Sequence, residues 1–288
     1  MTRLMYLDAS SLAYRAFFSV PKTIKDDSGQ PVNAVRGFMD MAARLKTDHD
    51  PDQLVAVFDN DWRPAFRVQA YPGYKAERPD EPEDLTPQFD MLARVLDLAG
   101  IARAGADGFE ADDVIATYAV AVQGEDRAMV VTGDRDLLCL VRDPFVELLF
   151  PVKGVTELKR FDEAAVQDAY GVPASLYSEF ATLRGDSSDG LPGVKGVGPK
   201  TACKLLADHG SIAGIYEHLE ELTPRVKKAF EEARSYIDSM RSVVPPRTDC
   251  SIEATPGGQP DISELKAFAA AHNLDGPVTR LLAALGAG

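Results

Sequence analysis

The stretch Leu4-Met-Tyr-Leu-Asp8 is a short apolar run that stops at an aspartate, and the same pattern recurs twice downstream. The run LVAVF precedes Asp59, and MVV precedes Thr132-Gly-Asp134. Apolar runs of this length are typical of buried strands. Residues 35–45 and 89–99, which lie between them, carry apolar side chains at helical spacing. Strands that alternate with helices predict an α/β fold with a mainly parallel, doubly wound sheet.

The second half of the chain has a different pattern. After Phe150 the apolar spacing predicts helices only, the first from Asp162 to Tyr170 and the last from Val278 to Leu285. We therefore expect an α/β core over residues 1–160 and a helical lobe over residues 161–288, whose last helices pack back on the core. The stretch 74–87, YKAERPDEPEDLTP, is charged and rich in proline, and it should form a mobile loop or short helix that projects from the sheet.

The composition excludes several classes of protein. Hydrophobic residues make up 45% of the 288 residues, which is typical of a globular protein, and the apolar runs fall far short of the ~20 residues of a membrane span. The N-terminus lacks the apolar segment of a secretory signal, and the three cysteines form no CxxC pair. We expect a soluble cytoplasmic protein. Its net charge of −14 argues against a nucleic-acid partner, unless one cation-filled site concentrates the negative charge.

Acidic residues fall where this fold would bring them to one edge of the sheet. The carboxyl ends of parallel strands line the crevice in which ligands bind. Each residue alone has an ordinary explanation as a turn residue or helix cap, but together they are more than capping needs. The nine are Asp8, Asp59, Glu110, Asp112, Asp113, Asp134, Asp136, Asp186 and Asp189.

Such a cluster needs cations. Two like charges about 4 Å apart repel by roughly 4 kcal/mol at an effective dielectric constant of 20, so the carboxylates would otherwise protonate or separate. All candidate ligands are hard oxygens, which favours Mg²⁺ or Mn²⁺ over zinc. Pairs of these ions typically serve phosphoryl chemistry, in which they activate water and stabilise the leaving oxygen of a phosphodiester. The four scattered histidines build no catalytic triad.

A glycine-rich turn, GVKGVGPKT over residues 193–201, fits neither GxxxxGK[ST] nor GxGxxG. It fits a hairpin between two helices, in which Pro199 begins the second helix. Free amides at that helix start, beside Lys195, Lys200 and Lys204, would bind a phosphate without reading a base. A plain connection between two helices is the alternative.

Basic and aromatic residues also precede the charged stretch. The segment FRVQAYPGYKAER contains Arg67, Tyr74, Lys75 and Arg78, and Arg63 lies just before it. A cation there could neutralise a scissile phosphate, and an aromatic ring could stack on an unpaired base.

Seven motifs stand in the order found in one nuclease superfamily. They are YLDAS, VFD, FR with YxxYKxxR, FEADDVIAT, VTGDRDL, GDxSD and GVxGVGPKTA, and they span nearly the whole chain. The sequence thereby resembles the flap endonuclease superfamily, in particular its bacterial 5′-nuclease branch, the 5′–3′ exonuclease domain at the N-terminus of DNA polymerase I.

The resemblance implies a PIN-like nuclease fold with a helical arch at about residues 66–87 and a helix-three-turn-helix motif at about 187–207. It implies a catalytic role for the carboxylates, of which Asp8, Asp59, Glu110 and Asp112 would hold one divalent metal and Asp113, Asp134, Asp136 and Asp189 would surround a second, with Asp186 in an outer position. Lys75 would contact the scissile phosphate, with Arg78 as its basic partner. Main-chain carbonyls of Gly193, Val194 and Val197 would bind K⁺. The DNA-binding residues would be Arg67, Tyr74, Lys195, Gly196, Gly198, Lys200, Thr201 and Lys204.

The expected function is a structure-specific 5′-nuclease that hydrolyses phosphodiesters at 5′ ends and 5′ flaps of DNA by a two-metal mechanism, in primer removal and repair. We expect a nucleoid-associated monomer with no membrane contact, and DNA polymerase I and ligase are candidate protein partners. The first alternative is a PIN-type ribonuclease, against which the hairpin lobe and segment 66–87 argue. The second is a non-catalytic DNA-binding module, which would gain nothing from nine carboxylates. A haloacid-dehalogenase-like phosphatase would need a second Asp two residues after Asp8.

Overall fold

A seven-stranded mixed sheet organises the structure, a computed structural model that describes residues 1–287. Gly288, the last residue of the predicted helical lobe, lies outside the described residues. The strands are β1 (Arg3–Asp8), β2 (Gln53–Val57), β3 (Ala102–Gly105), β4 (Arg127–Val131), β5 (Val146–Lys153), β6 (Glu157–Phe161) and β7 (Glu253–Thr255). Their order across the sheet is β6-β5-β4-β1-β2-β3-β7.

The predicted parallel sheet is confirmed in its centre. β1 pairs in parallel with β2 and β4, and β3 and β5 continue the parallel arrangement on either side. Met5, Tyr6 and Leu7 are all buried, as expected of a strand that helices cover on both faces. The two edge strands, β6 and β7, run antiparallel to their neighbours.

Thirteen α-helices of the described residues surround the sheet and cover both of its faces. The α-helices are α1 (Ala9–Ser19), α2 (Asn33–His49), α3 (Ala65–Ala70), α4 (Thr86–Leu98), α5 (Ala111–Ala121), α6 (Glu163–Tyr170), α7 (Tyr177–Arg184), α8 (Pro199–His209), α9 (Ile212–Glu217), α10 (Pro224–Glu232), α11 (Arg234–Met240), α12 (Ile262–Ala271) and α13 (Asp275–Ala284). None of the helices in residues 1–287 has the length and apolar composition of a transmembrane segment.

Two apolar cores lie on opposite faces of the sheet. One packs β1 against α2, α4, α12 and α13, with Leu7, Phe38 and Leu281 buried in it. The other begins under α5 and continues without a break into the later helices, so that Val114 and Phe230 belong to the same cluster. The helices after β6 are therefore packed onto the sheet through a shared core.

Two segments differ from the sequence expectations. The prediction that only helices follow Phe150 is wrong, since β6 and β7 complete the sheet. Both are charged or exposed edge strands that lack the apolar run of a buried strand. Within the expected arch, only α3 and the start of α4 are helical, and turns occupy most of the residues between. Its residues 76–84 are largely exposed, whereas Tyr74, Lys75 and Leu85 are buried.

Candidate active site

The central parallel strands bring three aspartates to one edge of the sheet. Asp8 ends β1, Asp59 follows β2 by two residues, and Asp134 follows β4 by three. β1 pairs in register with both neighbours, so their carboxyl ends lie side by side. Asp8 is 4% exposed, and its charge interacts with those of Asp59 and Asp134. The strand order therefore brings these three carboxylates together at one edge of the sheet.

Asp8 is fixed by two hydrogen bonds. Its Oδ1 accepts from the amide of Ser11 at 3.0 Å, which caps α1, and its Oδ2 accepts from the Thr132 hydroxyl at 2.6 Å. The Thr132 hydroxyl also accepts from the amide of Asp134 at 2.9 Å. Thr132 thus joins two of the acidic residues, although its sequence motif predicted no role for it. The position of Thr132 directly after the buried strand β4 could have indicated that it lies at this site.

The start of α5 supplies the next acidic residues. Glu110 caps the helix, and its Oε1 accepts from the Tyr74 hydroxyl at 2.9 Å. Glu110 Oε2 also lies 2.9 Å from the Lys75 ammonium. The amide of Ala111 donates to Asp59 Oδ1 at 2.6 Å, which ties β2 to this helix start. Asp112, in the first turn, is repelled by Asp134 and Asp8.

Asp136 and Asp189 lie on the lobe side of this centre. Asp136 begins the 3₁₀ helix Asp136–Leu140, and its amide donates to Asp134 Oδ1 at 2.8 Å. Asp189 is 8% exposed and lies 2.6 Å from the Arg78 guanidinium, so it is not in a solvated turn. A cavity of about 10 Å³, about the space of one water, is lined by residues that include Glu110, Asp112, Asp136 and Asp189.

Asp186 is close to this group but is oriented by its own turn. Its Oδ1 accepts from the amide and hydroxyl of Ser188 at 2.8 and 2.5 Å, and Oδ2 lies 3.6 Å from Arg184. Reciprocal backbone hydrogen bonds between Asp186 and Leu191 close the loop that contains Asp189. Asp186 therefore shapes the loop that presents Asp189.

Burial and mutual repulsion disfavour the charged form of several carboxylates in the acidic centre. Burial, followed by repulsion from Asp59, raises the pKa of Asp8 to about 7. Burial and repulsion from Asp134 raise the pKa values of Asp112 and Asp136 well above their usual range. Burial alone would lower the pKa of Lys75, but the nearby carboxylates outweigh it and raise that pKa. Its ammonium is therefore charged at neutral pH.

The donor set fits a hard divalent cation, since every candidate ligand is a carboxylate. Within residues 1–287, however, no group of three or more Asp, Glu, His or Cys side chains is arranged so that it could hold a metal ion. Protein cations neutralise two of the carboxylates directly, Lys75 at Glu110 and Arg78 at Asp189. Ligation by Glu110 and Asp189 therefore competes with these ion pairs.

Asp113 does not belong to the centre, which corrects its assignment as a metal ligand. It is fully buried, and its two oxygens accept from the two terminal nitrogens of Arg67 at 2.7 Å each. Its oxygens also accept from the amides of Arg247 at 2.7 Å and Glu110 at 3.2 Å. With its lone pairs used in this way, Asp113 ties α5 to α3 and to the segment after α11.

Two predicted DNA-binding residues are also buried. Arg67 is 2% exposed, and besides Asp113 its Nε donates to the carbonyl of Val243 at 2.9 Å. Tyr74 is 4% exposed, with its hydroxyl on Glu110. Neither side chain can reach a phosphate or a base on the surface, so we correct both assignments. Arg67 and Tyr74, which the sequence motif predicted to contact DNA, instead form hydrogen bonds inside the protein.

Lys75 is held in place by its backbone as well as by its ion pair. Its φ of +50° is in the left-handed region, and its amide donates to the carbonyl of Asp189 at 2.9 Å. Gly190 allows this contact, because a Cβ there would lie 2.5 Å from the carbonyl oxygen of Gly73. The lysine is 8% exposed, so it stands inside the acidic centre and not on a solvated loop.

The glycine-rich turn forms the expected connection into α8. Gly193 has a φ of +70°, and a Cβ there would lie 2.6 Å from the Arg184 carbonyl. Val194 and Val197 are buried. The Val197 amide donates to the Val194 carbonyl at 2.9 Å, so one of the three carbonyl oxygens predicted to bind K⁺ already accepts a hydrogen bond. Gly198 caps α8 at the surface.

The remaining predicted DNA-binding residues of the hairpin differ in solvent exposure and in ion pairing. Lys195, Gly196 and Lys200 are exposed, and neither lysine forms an ion pair within the described part of the chain. Thr201 is half-buried, and Lys204 is already paired with Asp208 at 2.8 Å. Lys195 and Lys200 are therefore the hairpin lysines best placed for a phosphate.

Comparison with known proteins identifies the family. Residues 3–171 match the family described as 5′-3′ exonuclease, N-terminal resolvase-like domain, and residues 172–260 match 5′-3′ exonuclease, C-terminal SAM fold. The chain is 46% identical to a 5′-3′ exonuclease of Streptomyces coelicolor, over 98% of this chain and 99% of that protein. It is 42% identical to DNA polymerase I of Mycobacterium tuberculosis, over 88% of this chain and 28% of the polymerase.

Solved structures share the fold. A bacteriophage T5 flap endonuclease crystallised with DNA and metal ions superposes with a TM-score of 0.66 at 18% identity, covering 99% of each chain. The catalytic core of Rad2 in complex with DNA substrate gives a TM-score of 0.61 at 19% identity, covering 99% of this chain and 91% of the solved core. The two family matches and the relative that aligns along its full length show that this chain is a nuclease of the 5′–3′ exonuclease family.

Proposed function

We propose that this chain is a structure-specific nuclease that hydrolyses phosphodiesters at 5′ ends and 5′ flaps of DNA, in primer removal and repair. The observation that carries the proposal is the convergence of buried carboxylates with Lys75 and Arg78 at the carboxyl edge of the sheet. The glycine-rich turn proposed to bind a phosphate begins four residues after Asp189. Metal binding and phosphate binding would therefore be neighbours in one loop.

Two Mg²⁺ or Mn²⁺ ions would be held by the predicted carboxylates other than Asp113. Asp8, Asp59, Glu110 and Asp112 would hold one, and Asp134, Asp136 and Asp189 would surround the other, with Asp186 orienting the loop. Divalent ions bound there would neutralise the charge that develops on a phosphodiester during its hydrolysis. The support for this assignment is an all-carboxylate donor set with raised pKa values.

Lys75 and Arg78 would exchange their partners when DNA binds. Each now pairs with a carboxylate, and a scissile phosphate offers both the same charge and oxygen acceptors. Binding of cations by Glu110 and Asp189 would release the two side chains toward the phosphate. Their role would be to bind and orient that phosphate.

The hairpin would bind the duplex through its backbone. Gly198 and Lys200 present exposed amide and ammonium groups at the start of α8, where the helix dipole favours an anion. Lys195 and Gly196 extend this surface, and K⁺ bound to carbonyls of Gly193, Val194 and Val197 would add positive charge. These contacts position DNA without reading its bases.

We propose a nucleoid-associated monomer whose partners are DNA polymerase I and DNA ligase. The 42% identity to a segment of DNA polymerase I supports the polymerase link, because that relative carries a similar domain in the same chain as a polymerase.

A matched set of substrates tests the proposal. The protein is incubated with a 5′-flapped DNA duplex, a blunt duplex of the same sequence and a single-stranded RNA, with Mg²⁺ and then with EDTA. We expect cleavage at the flap junction with Mg²⁺, slower release from the blunt end, and none in EDTA. Preferred cleavage of the RNA would support a ribonuclease instead, and flap binding without cleavage would support a binding module.

A further inference from the structure

Trp62 is the single tryptophan of the chain, and its side chain is 47% exposed. Indole rings are usually well buried, because they carry a large apolar area. Trp62 lies in the loop between β2 and α3, three residues after Asp59. Tyr14 and Phe18 of α1 are exposed as well. The large exposed aromatic rings of the described residues thus follow β1 and β2, two of the three strands that end at the acidic centre.

The loop holds Trp62 from both sides. The amide of Asp61 donates to the Phe109 carbonyl at 3.1 Å, and Asp61 Oδ1 accepts from the amide of Arg63 at 3.0 Å. The Arg63 guanidinium donates to the carbonyls of Tyr74 at 2.7 Å and Pro72 at 2.8 Å. The neighbours of Trp62 are therefore anchored while its ring is exposed, so little backbone entropy would be lost when the ring meets a ligand.

Trp62 is also close to the reacting groups. Its carbonyl oxygen lies 3.4 Å from Lys75 Nζ, and that ammonium lies 2.9 Å from Glu110 Oε2. These two contacts place the Trp62 backbone within about two base steps (~7 Å) of the acidic centre. A nucleotide whose phosphate met Lys75 could therefore place its base at the indole ring.

The charges beside the ring suit a nucleotide. Lys75 lies on one side, and Arg63 has no carboxylate partner among residues 1–287, since its guanidinium is bound to carbonyls. An aromatic face next to cations is the combination that binds single-stranded nucleic acid, with stacking for the base and positive charge for the phosphate.

We propose that Trp62 stacks on an unpaired base of the DNA strand whose phosphate occupies the acidic centre. The inference rests on the proposed function, and it adds a specificity-determining residue to that site. A base inside a duplex has both faces covered, whereas a base at a frayed end or flap junction has one free. Stacking on Trp62 therefore favours open 5′ ends over continuous duplex, and it tolerates any base sequence.

Intrinsic fluorescence tests the contact directly, because all tryptophan emission of the wild-type protein comes from Trp62. The Asp134→Asn variant, which should bind DNA without cleaving it and keeps Trp62 as its single tryptophan, is titrated in Mg²⁺ with a 5′-flapped duplex and with the same duplex carrying abasic sites on both sides of the junction. The anisotropy of a dye on the DNA reports binding independently. We expect strong quenching with the intact flap and little with the abasic one, each measured at saturation.

Variants complete the test. Trp62→Ala should weaken binding of the intact flap roughly tenfold and leave the abasic flap unaffected, while Trp62→Phe should retain most of the affinity. Val120→Ala, which alters an exposed apolar side chain at the far end of α5, is the matched control and should change neither. Unchanged fluorescence at saturation, or equal quenching by both DNAs, would overturn the proposal. Failure of the proposed function would show instead as absent binding or cleavage.

Discussion

Replacing Arg67 by methionine should destabilise the protein strongly, because it leaves a buried charge without its partner. Asp113 is fully buried and Arg67 is 2% exposed, and two hydrogen bonds of 2.7 Å join them. Removing one partner of such a pair costs about 3–5 kcal/mol. Arg67 also donates to the Val243 carbonyl, so the segment after α11 loses an anchor. At roughly 2–4 °C per kcal/mol for a chain of this size, we expect Tm to fall by about 10 °C.

A double-mutant cycle isolates the pair. Arg67→Met, Asp113→Asn and the double variant are compared by urea unfolding at neutral pH. Asparagine keeps an acceptor for the amide of Arg247 and removes the charge. The double variant should be more stable than the sum of the single effects predicts, by ~2 kcal/mol. A loss below about 1 kcal/mol for Arg67→Met would refute the reasoning.

The same variants separate a structural role from a DNA contact. Below its Tm, the double variant should bind flap DNA within about twofold of wild type, because Arg67 lies inside the protein and makes no phosphate contact. Anisotropy titrations at two salt concentrations measure this. Weakened binding with unchanged stability would restore Arg67 to the DNA-binding surface.

Four further predictions concern the site. Asp134→Asn should abolish flap cleavage and leave the Kd for DNA nearly unchanged; normal single-turnover rates would contradict its metal role. Lys75→Ala should lower kcat by ~100-fold with little effect on Kd, because its charge acts mainly in the transition state, and a loss confined to Kd would make it a docking residue. Lys200→Ala should reduce the slope of log K against log salt by about one for every DNA sequence, whereas Lys204→Ala, already ion-paired, should change it less. The pKa of Asp8 is about 7 when folded and ~3.9 when unfolded, so the folded state holds the extra proton. Thermal melts in EDTA should therefore show stability falling from about pH 4 to 7 and Mg²⁺ restoring it above that window; a flat profile would contradict this.

Much of the fold was predictable because its strands are buried on both faces. The runs before Asp8, Asp59 and Asp134 can be identified as apolar without knowing which strands they pair with, and they form β1, β2 and β4. Strands β6 and β7 were not predicted from the sequence. Edge strands have one side open to solvent, so their residues carry no apolar run, and only pairing with β5 and β3 makes them strands.

The sequence by itself determined which carboxylates could meet, because parallel strands place their ends at one edge and Asp8, Asp59 and Asp134 follow such strands. It could not separate Asp112 from Asp113. Adjacent residues on a helix point about 100° apart, so one faces the acidic centre and the other faces away. Only the tertiary structure decided which, because the partner of Asp113 is Arg67, which is 46 residues away in the sequence and comes within hydrogen-bond distance only in the folded chain.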